Sequence, residues 1–290
     1  MKCRRSMMLA VALVVSSCMV CASAQVNAST QTCSFTFFKV LQGSMPGLGG
    51  INDFDVVSGS VQQNQTMYGF IRKPSGAINT FLINGRSALA SKINNQGFVV
   101  GSYYPTPTSP QAGFRRSSSG QVLTLKDPNG ANGTAAHGIN NAGEIVGWYD
   151  TSAAVQKGFT YKNGTYTSFS HSGWFFMQAE GVNKQGIIVG SYMDSANKMH
   201  GFAYSGGTYA SLDFPGASDT DALGVNDAGQ IVGWYVPTGS SYSQGFIYSG
   251  GQYSTVLVNG TPSISVDAIN NLGHIYGDIT GKSFIGKNCH

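Results

Sequence analysis

INNAGEIVG, at residues 139–147, is one of six near-copies of a single phrase, and the spacing of those copies decides the fold. The others are INDFDVVSG (51–59), INNQGFVVG (93–101), VNKQGIIVG (182–190), VNDAGQIVG (225–233) and INNLGHIYG (269–277). Their asparagines fall at 52, 94, 140, 183, 226 and 270, so the unit recurs every 42 to 46 residues, the length of one propeller blade. Each phrase reads as a hairpin. An apolar residue ends one strand, Asn with a short polar residue and Gly makes the turn, and a β-branched pair begins the next strand. Only the first copy lacks the turn glycine: Asp55 stands there, and Asp accepts the left-handed backbone less comfortably than Gly does.

Every unit carries a second phrase further on: Gly69-Phe70, Gly113-Phe114, Gly158-Phe159, Gly201-Phe202, Gly245-Phe246 and, more weakly, Ser283-Phe284. It predicts a third strand with a buried aromatic. Behind it come a polar turn and an alternating segment such as 165–169, 208–212 or 252–256, giving four strands per unit. The last unit stops after Phe284 with no fourth strand, while SFTFFKV (34–40) precedes the first Asn phrase and has the fourth-strand pattern. The two ends are complementary halves of one blade. The expected fold is therefore all-β: a six-bladed propeller of four-stranded blades, closed by the N-terminal strand, with no exposed sheet edge at the join. An open β-solenoid is the alternative, although such arrays normally need distinct polar caps.

Lys2, Arg4 and Arg5 precede an uncharged apolar run at 7–15 and the small residues Ala22, Ser23 and Ala24. This is the pattern of a secretory signal peptide, expected at 1–24, with 25–290 as a single propeller domain. The run is too short for a membrane-spanning helix, and no second one follows, so no integral membrane segment is expected in the mature chain. Val15, Ser16, Ser17 and Cys18 also fit a lipobox, whose cysteine would carry lipid. The expected location is extracellular or periplasmic. Beyond the leader only Cys33 and Cys289 remain, and an oxidising compartment favours one disulfide over two buried free thiols.

Removing the leader takes three of the 17 Lys and Arg and none of the 13 Asp and Glu, lowering the net charge from +4 to +1. That balance excludes nucleic acid as a partner. Charged residues are 10% of the chain, and 39 glycines suit short strands and tight turns.

The pattern Gly-Phe-x-Tyr, Gly-x-Tyr-Thr-x-Leu, then Gly-Ile-Asn-x-x-Gly-x-Ile-Val-Gly resembles the bacterial extracellular HAF-repeat proteins. His200-Gly201-Phe202-Ala203-Tyr204 is the best copy of the namesake segment, and the link Leu212-Asp213-Phe214-Pro215-Gly216-Ala217 is similar too. The resemblance spans about Cys33 to Cys289. It implies an extracellular location and a propeller-like array, and no shared chemistry.

In a propeller the Asn-Gly turns emerge on one face and the long, variable loops on the other, where binding groups usually collect. Just before each Asn phrase the innermost strands carry Ser91, His137, Glu180, Leu223 and Asp267 at one position. His137, Glu180 and Asp267 could form a ring of ionisable groups at the channel mouth, and with Asp221 they are the catalytic candidates. Solvated strand-start residues are the plainer alternative. The same face should carry Asp150, Asp194 and His200, and His171, Trp174, Phe175 and Phe176 form the one aromatic cluster that breaks the repeat; Trp174 could stack on a sugar or pack between blades. Asp219-Thr220-Asp221 and Asp127-Pro128-Asn129-Gly130 hint at calcium without the remaining ligands of a calcium loop, so no metal or other cofactor is expected. No nucleophile elbow, zinc motif or phosphate loop is present. Three readings follow: a monomeric binding module for an extracellular glycan or protein, a polysaccharide hydrolase or lyase, or a structural surface component.

Overall fold

The computed structural model describes residues 33–40 and 49–289, so the signal-peptide and lipobox segments lie outside the described residues. Six four-stranded antiparallel sheets form a closed ring: a six-bladed β-propeller. The third blade is typical, with Gly133–Ile139 innermost, then Ile145–Asp150, Gln156–Lys162 and Thr165–Phe169 outermost. In the sixth blade the fourth strand is Ser34–Phe38, paired antiparallel with Lys282–Lys287 from the far end of the chain, Ser34 opposite Lys287 and Phe38 opposite Ser283. Cys33 and Cys289 form a disulfide just outside this pairing. A bridge across a separation of 256 residues stabilises by about 5 kcal/mol on loop entropy.

The two repeated phrases meet inside each blade. The glycine that ends the Asn phrase pairs directly with the phenylalanine of the second phrase: Gly59 with Phe70, Gly147 with Phe159, Gly277 with Phe284. A Cβ on Gly59 would lie 2.8 Å from the Phe70 ring, so the glycine is the space that the aromatic fills. All six of these phenylalanines have no exposed surface. Burying each stabilises by roughly 1.5–3 kcal/mol, which is why the pair recurs. Each core cluster joins two neighbouring blades; Val189 of the fourth, for example, packs with Phe214, Ile231 and Phe246 of the fifth.

The repeat asparagines do more than form turns. In the third blade Asn140 Oδ1 accepts the N–H groups of Ala142 and Glu144, closing its own hairpin, while Nδ2 donates to the carbonyl of Asn183 in the next blade at 3.0 Å. The same bridge runs from Asn52 to Asn94, Asn94 to Asn140, Asn183 to Asn226, Asn226 to Asn270 and Asn270 back to Asn52. The result is a closed girdle around the axis. The residue after each Asn begins a second girdle, in which the backbone N–H of one turn meets the side-chain oxygen of the next: Asp53 to Asn95, Asn95 to Asn141, Lys184 to Asp227, Asp227 to Asn271 and Asn271 to Asp53. It breaks only where Asn141 faces Lys184, whose side chain has no acceptor.

Asp55, the residue that replaces the turn glycine, does adopt the left-handed conformation, with φ of 55°. The position is used across the closing seam: its carboxylate pairs with His274 at 2.7 Å and with Lys287, both in the sixth blade. These partners outweigh the effect of burial and hold its pKa below the usual carboxylate value.

Candidate functional site

The position shared by His137, Glu180, Leu223 and Asp267 is a β-bulge in every one of those blades. The register shifts between Ala136 and Gly138, Ala179 and Gly181, Ala222 and Gly224, and Val266 and Ala268. A bulge leaves one residue out of the ladder and re-aims its side chain. In the second blade the shift spans both Ser91 and Lys92.

This re-aiming brings His137 and Glu180 together across the third and fourth blades, with Nδ1 at 2.8 Å from both carboxylate oxygens. Burial alone would lower the His137 pKa, but the Glu180 charge overrides it and the net shift is upward. Burial would likewise raise Glu180, and the facing His137 and Lys92 charges bring it below its ordinary value instead. Each partner thus favours the charged form of the other. Asp221 and Asp267 lie within electrostatic reach of it. Burial, reinforced by repulsion from Glu180, pushes the Asp221 carboxyl up to about 7. Burial pushes Asp267 up to about 6 against the opposing pull of Lys92. One oxygen of Asp221 and both oxygens of Asp267 are buried without a well-formed hydrogen bond.

Two further members of this cluster are not among the candidates read from the sequence. Lys92 occupies a position that is glycine in four of the other five blades, because the innermost strands approach there backbone to backbone; a Cβ on Gly181 would sit 3.2 Å from the Gly224 Cα. Its side chain lies in the channel instead, and Nζ donates to the carbonyls of Gly49, at 2.9 Å, and Asp267. Burial lowers its pKa, and Asp267 opposes the shift. Asp278, on the neighbouring strand, is raised to about 8 by burial and then by the Asp267 charge. The signal for Lys92 was legible: a charged residue in place of a repeated small one.

The channel beneath is narrow. Its cavity beside Lys92 measures about 60 Å³ and the funnel inside the asparagine girdle about 70 Å³, space for a few water molecules. Glu180, Asp221 and Asp267 are at most 8% exposed, and only His137, at 22%, reaches solvent appreciably.

The other candidates gather on the long-loop face around the fourth blade. His171, Trp174, Tyr192 and His200 stack in series, with ring centroids 4.4, 3.6 and 5.1 Å apart. Trp174 is thus covered on both faces. His200 is tied by Nδ1 to Asp213 and by Nε2 to Asp194, and Asp194 also accepts the N–H groups of Ala196 and Lys198 in its own turn. Asp150, at the end of a strand in the third blade, is raised by burial against a hydrogen bond from Gln156. Asp127 accepts the Asn129 N–H, and the two oxygens of Asp219 accept the Met199 N–H and the Ser218 hydroxyl, so both segments are tied into local turns. Among the described residues no group of three or more acids, His or Cys is placed to hold a metal ion.

The long-loop face exposes Phe175 and Phe176 of that aromatic cluster and, outside the candidates, Tyr104 and Tyr242. Phe176 has φ of 49°, a rare conformation for a bulky residue that costs of order 1–3 kcal/mol and marks functional segments.

No protein-family model and no curated protein matches the chain. Among solved structures it is similar to a streptogramin B lyase, 11% identical over 90% of this chain and 99% of that one, with a TM-score of 0.52. It is also similar to a virginiamycin B lyase from Staphylococcus aureus, 10% identical over 88% and 99% with a TM-score of 0.53. A mutant of AofleA from Arthrobotrys oligospora gives 13% over 86% and 83%, with a TM-score of 0.51. At these identities the likeness is one of fold. No helix among the described residues is long and apolar enough to cross a membrane.

Proposed function

We propose that this chain is a secreted propeller of the HAF-repeat type that holds an extracellular glycan or protein on its long-loop face. The observation that carries this reading is the distribution of exposed apolar side chains. Of the ten large ones among the described residues, six sit on that face: Tyr104, Val155, Phe175, Phe176, Tyr242 and Ile264. Exposed aromatics beside a strained backbone are what a binding surface uses to stack on sugar rings or fill a partner's pockets. With both faces of Trp174 covered, the stacking role falls to Phe175 and Phe176, and Trp174 supports them as part of the wall beneath. The leader pattern and the terminal disulfide support an exported location.

A hydrolase or lyase acting at the channel mouth is the second reading, favoured by Asp221 at about 7 beside the hydrogen-bonded His137–Glu180 pair. Binding is preferred because three of these four groups are almost fully buried. A glycan array with the protein and a Phe175→Ala/Phe176→Ala variant tests the main reading: the hits should weaken at least tenfold in the variant, from two stacking contacts of about 0.5–1.5 kcal/mol each. Hits that persist undiminished sink it. Turnover of an array polysaccharide that disappears in His137→Ala would establish the second reading instead.

A further inference from the structure

The first two blades differ from the rest in charge. Residues 56–126 contain seven Lys and Arg and no Asp or Glu, whereas eleven of the thirteen acids follow residue 126. The two earlier acids are engaged: the Asp53 oxygens take hydrogen bonds from Asn95 and Asn271, and Asp55 pairs with His274 and Lys287. The basic segment also differs in shape. The turns between third and fourth strands run through 73–77 and 117–121 in these blades, but are closed by 163–164, 206–207 and 250–251 in the next three.

Those longer turns wall a groove of about 560 Å³ between the first two blades, on the asparagine-turn face and opposite the surface proposed above. Phe54 and Phe81 line it, and Phe54 is 64% exposed. Arg116 lies over the Phe81 ring, 4.6 Å from its centroid, with one N–H held by the Ser117 carbonyl at 3.2 Å. The rest of its fork is available. Lys73 lines the same groove, and neither cation pairs with a carboxylate among the described residues. Asp53 lines the axial funnel and not this groove.

We infer that this groove binds a uronic acid residue of an acidic polysaccharide. The carboxylate sits on the Arg116 fork with Lys73 beside it, and the C–H face of the sugar lies on Phe54. Guanidinium matches carboxylate geometry with two parallel hydrogen bonds, which a neutral sugar could not use. The volume falls within the roughly 300–1,000 Å³ of small-ligand sites, and the excess of seven Lys and Arg over no acid in residues 56–126 draws an anionic chain toward it.

The test is calorimetry with oligogalacturonate, oligomannuronate and oligoguluronate, against methyl-esterified oligogalacturonate as the neutral control. At least one acidic oligomer should bind, and where oligogalacturonate binds, esterification should abolish it. Arg116→Ala should weaken binding at least tenfold and Phe54→Ala several-fold, both with an unchanged melting curve, while Phe175→Ala/Phe176→Ala leaves it unchanged. The inference is overturned if no uronate oligomer binds, if the ester binds as well as the acid, or if binding follows Phe175 and Phe176 in place of Arg116 and Phe54. The last outcome would leave the long-loop reading standing.

Discussion

The two ends of the central channel are built from the same six strands and solve opposite problems. At the asparagine-turn end, six identical side chains bridge to the next blade, five of them accepting two N–H groups of their own hairpin and Asn94 one, so that repetition alone closes a girdle. At the other end, the bulge position carries a different residue in nearly every blade, and Asp221 and Asp267 keep buried oxygens without good partners. A polar group buried in a ring needs a partner in the neighbouring blade. Sixfold repetition supplies that partner automatically; variation supplies it only where two complementary residues happen to be neighbours, as His137 and Glu180 are. The regular end is thus a stability device, and the irregular end stores the kind of electrostatic tension found at functional sites.

The sharpest way to break the contrast is at the regular end. Asn140→Ala strands the N–H groups of Ala142 and Glu144 and removes the bridge to the Asn183 carbonyl, which keeps only the Gly186 N–H, and should cost about 3 kcal/mol in chemical denaturation. A cost below about 1 kcal/mol would mean that the girdle is a by-product of the turns.

At the irregular end a substitution should stabilise. Asp221, Asp267 and Asp278 have pKa values raised to about 7, 6 and 8, so the folded state retains protons that the unfolded chain releases from about pH 4 upward. Their contribution to stability falls as pH rises from about 4 to 8. His137, also raised, contributes stability that is present below its unfolded value and lost as pH rises through its folded one. Glu180, lowered, contributes stability present above its unfolded value and lost toward acid. The acids held below their ordinary values, Asp53, Asp55, Glu180 and Asp194, lose their contribution only toward acid, below this window, so the protein should be more stable at pH 5 than at pH 8. Asp278→Asn, which removes the most strongly shifted group, should recover on the order of 2 kcal/mol at pH 8 and little at pH 5. Equal gains at both pH values would point to packing and away from ionisation.

The smallest effect should come from completing the second girdle. Lys184→Asn gives the Asn141 N–H the acceptor that it lacks and forfeits only an exposed pair with Asp227 at 3.7 Å. Thermal unfolding should show a gain of about 0.5 kcal/mol. A loss would show that the break at Lys184 is tolerated because water already fills it.

The ring and its closure were legible because they rest on local chemistry repeated six times: an Asn-Gly turn, a glycine leaving room for a phenylalanine, and a fourth-strand pattern displaced to the other end of the chain. Even the irregular Asp55 was visible as a departure, though its reason was not, since His274 and Lys287 lie more than two hundred residues away. The candidate site was half legible. The shared position of His137, Glu180 and Asp267 could be read from alignment of the units, but the bulge that turns those side chains inward is a property of strand pairing.

The sequence by itself determined blade number, strand order and the join between the ends, because each depends on contacts within one repeat or on patterns that every repeat shares. Only the tertiary structure decided that Trp174 is covered on both faces, that Lys92 ties the second blade to the first and sixth and that the basic second blade walls a groove with the first. Those facts depend on which side chains neighbouring blades set against each other, and that distance is fixed by packing around the ring and encoded in no single stretch of chain.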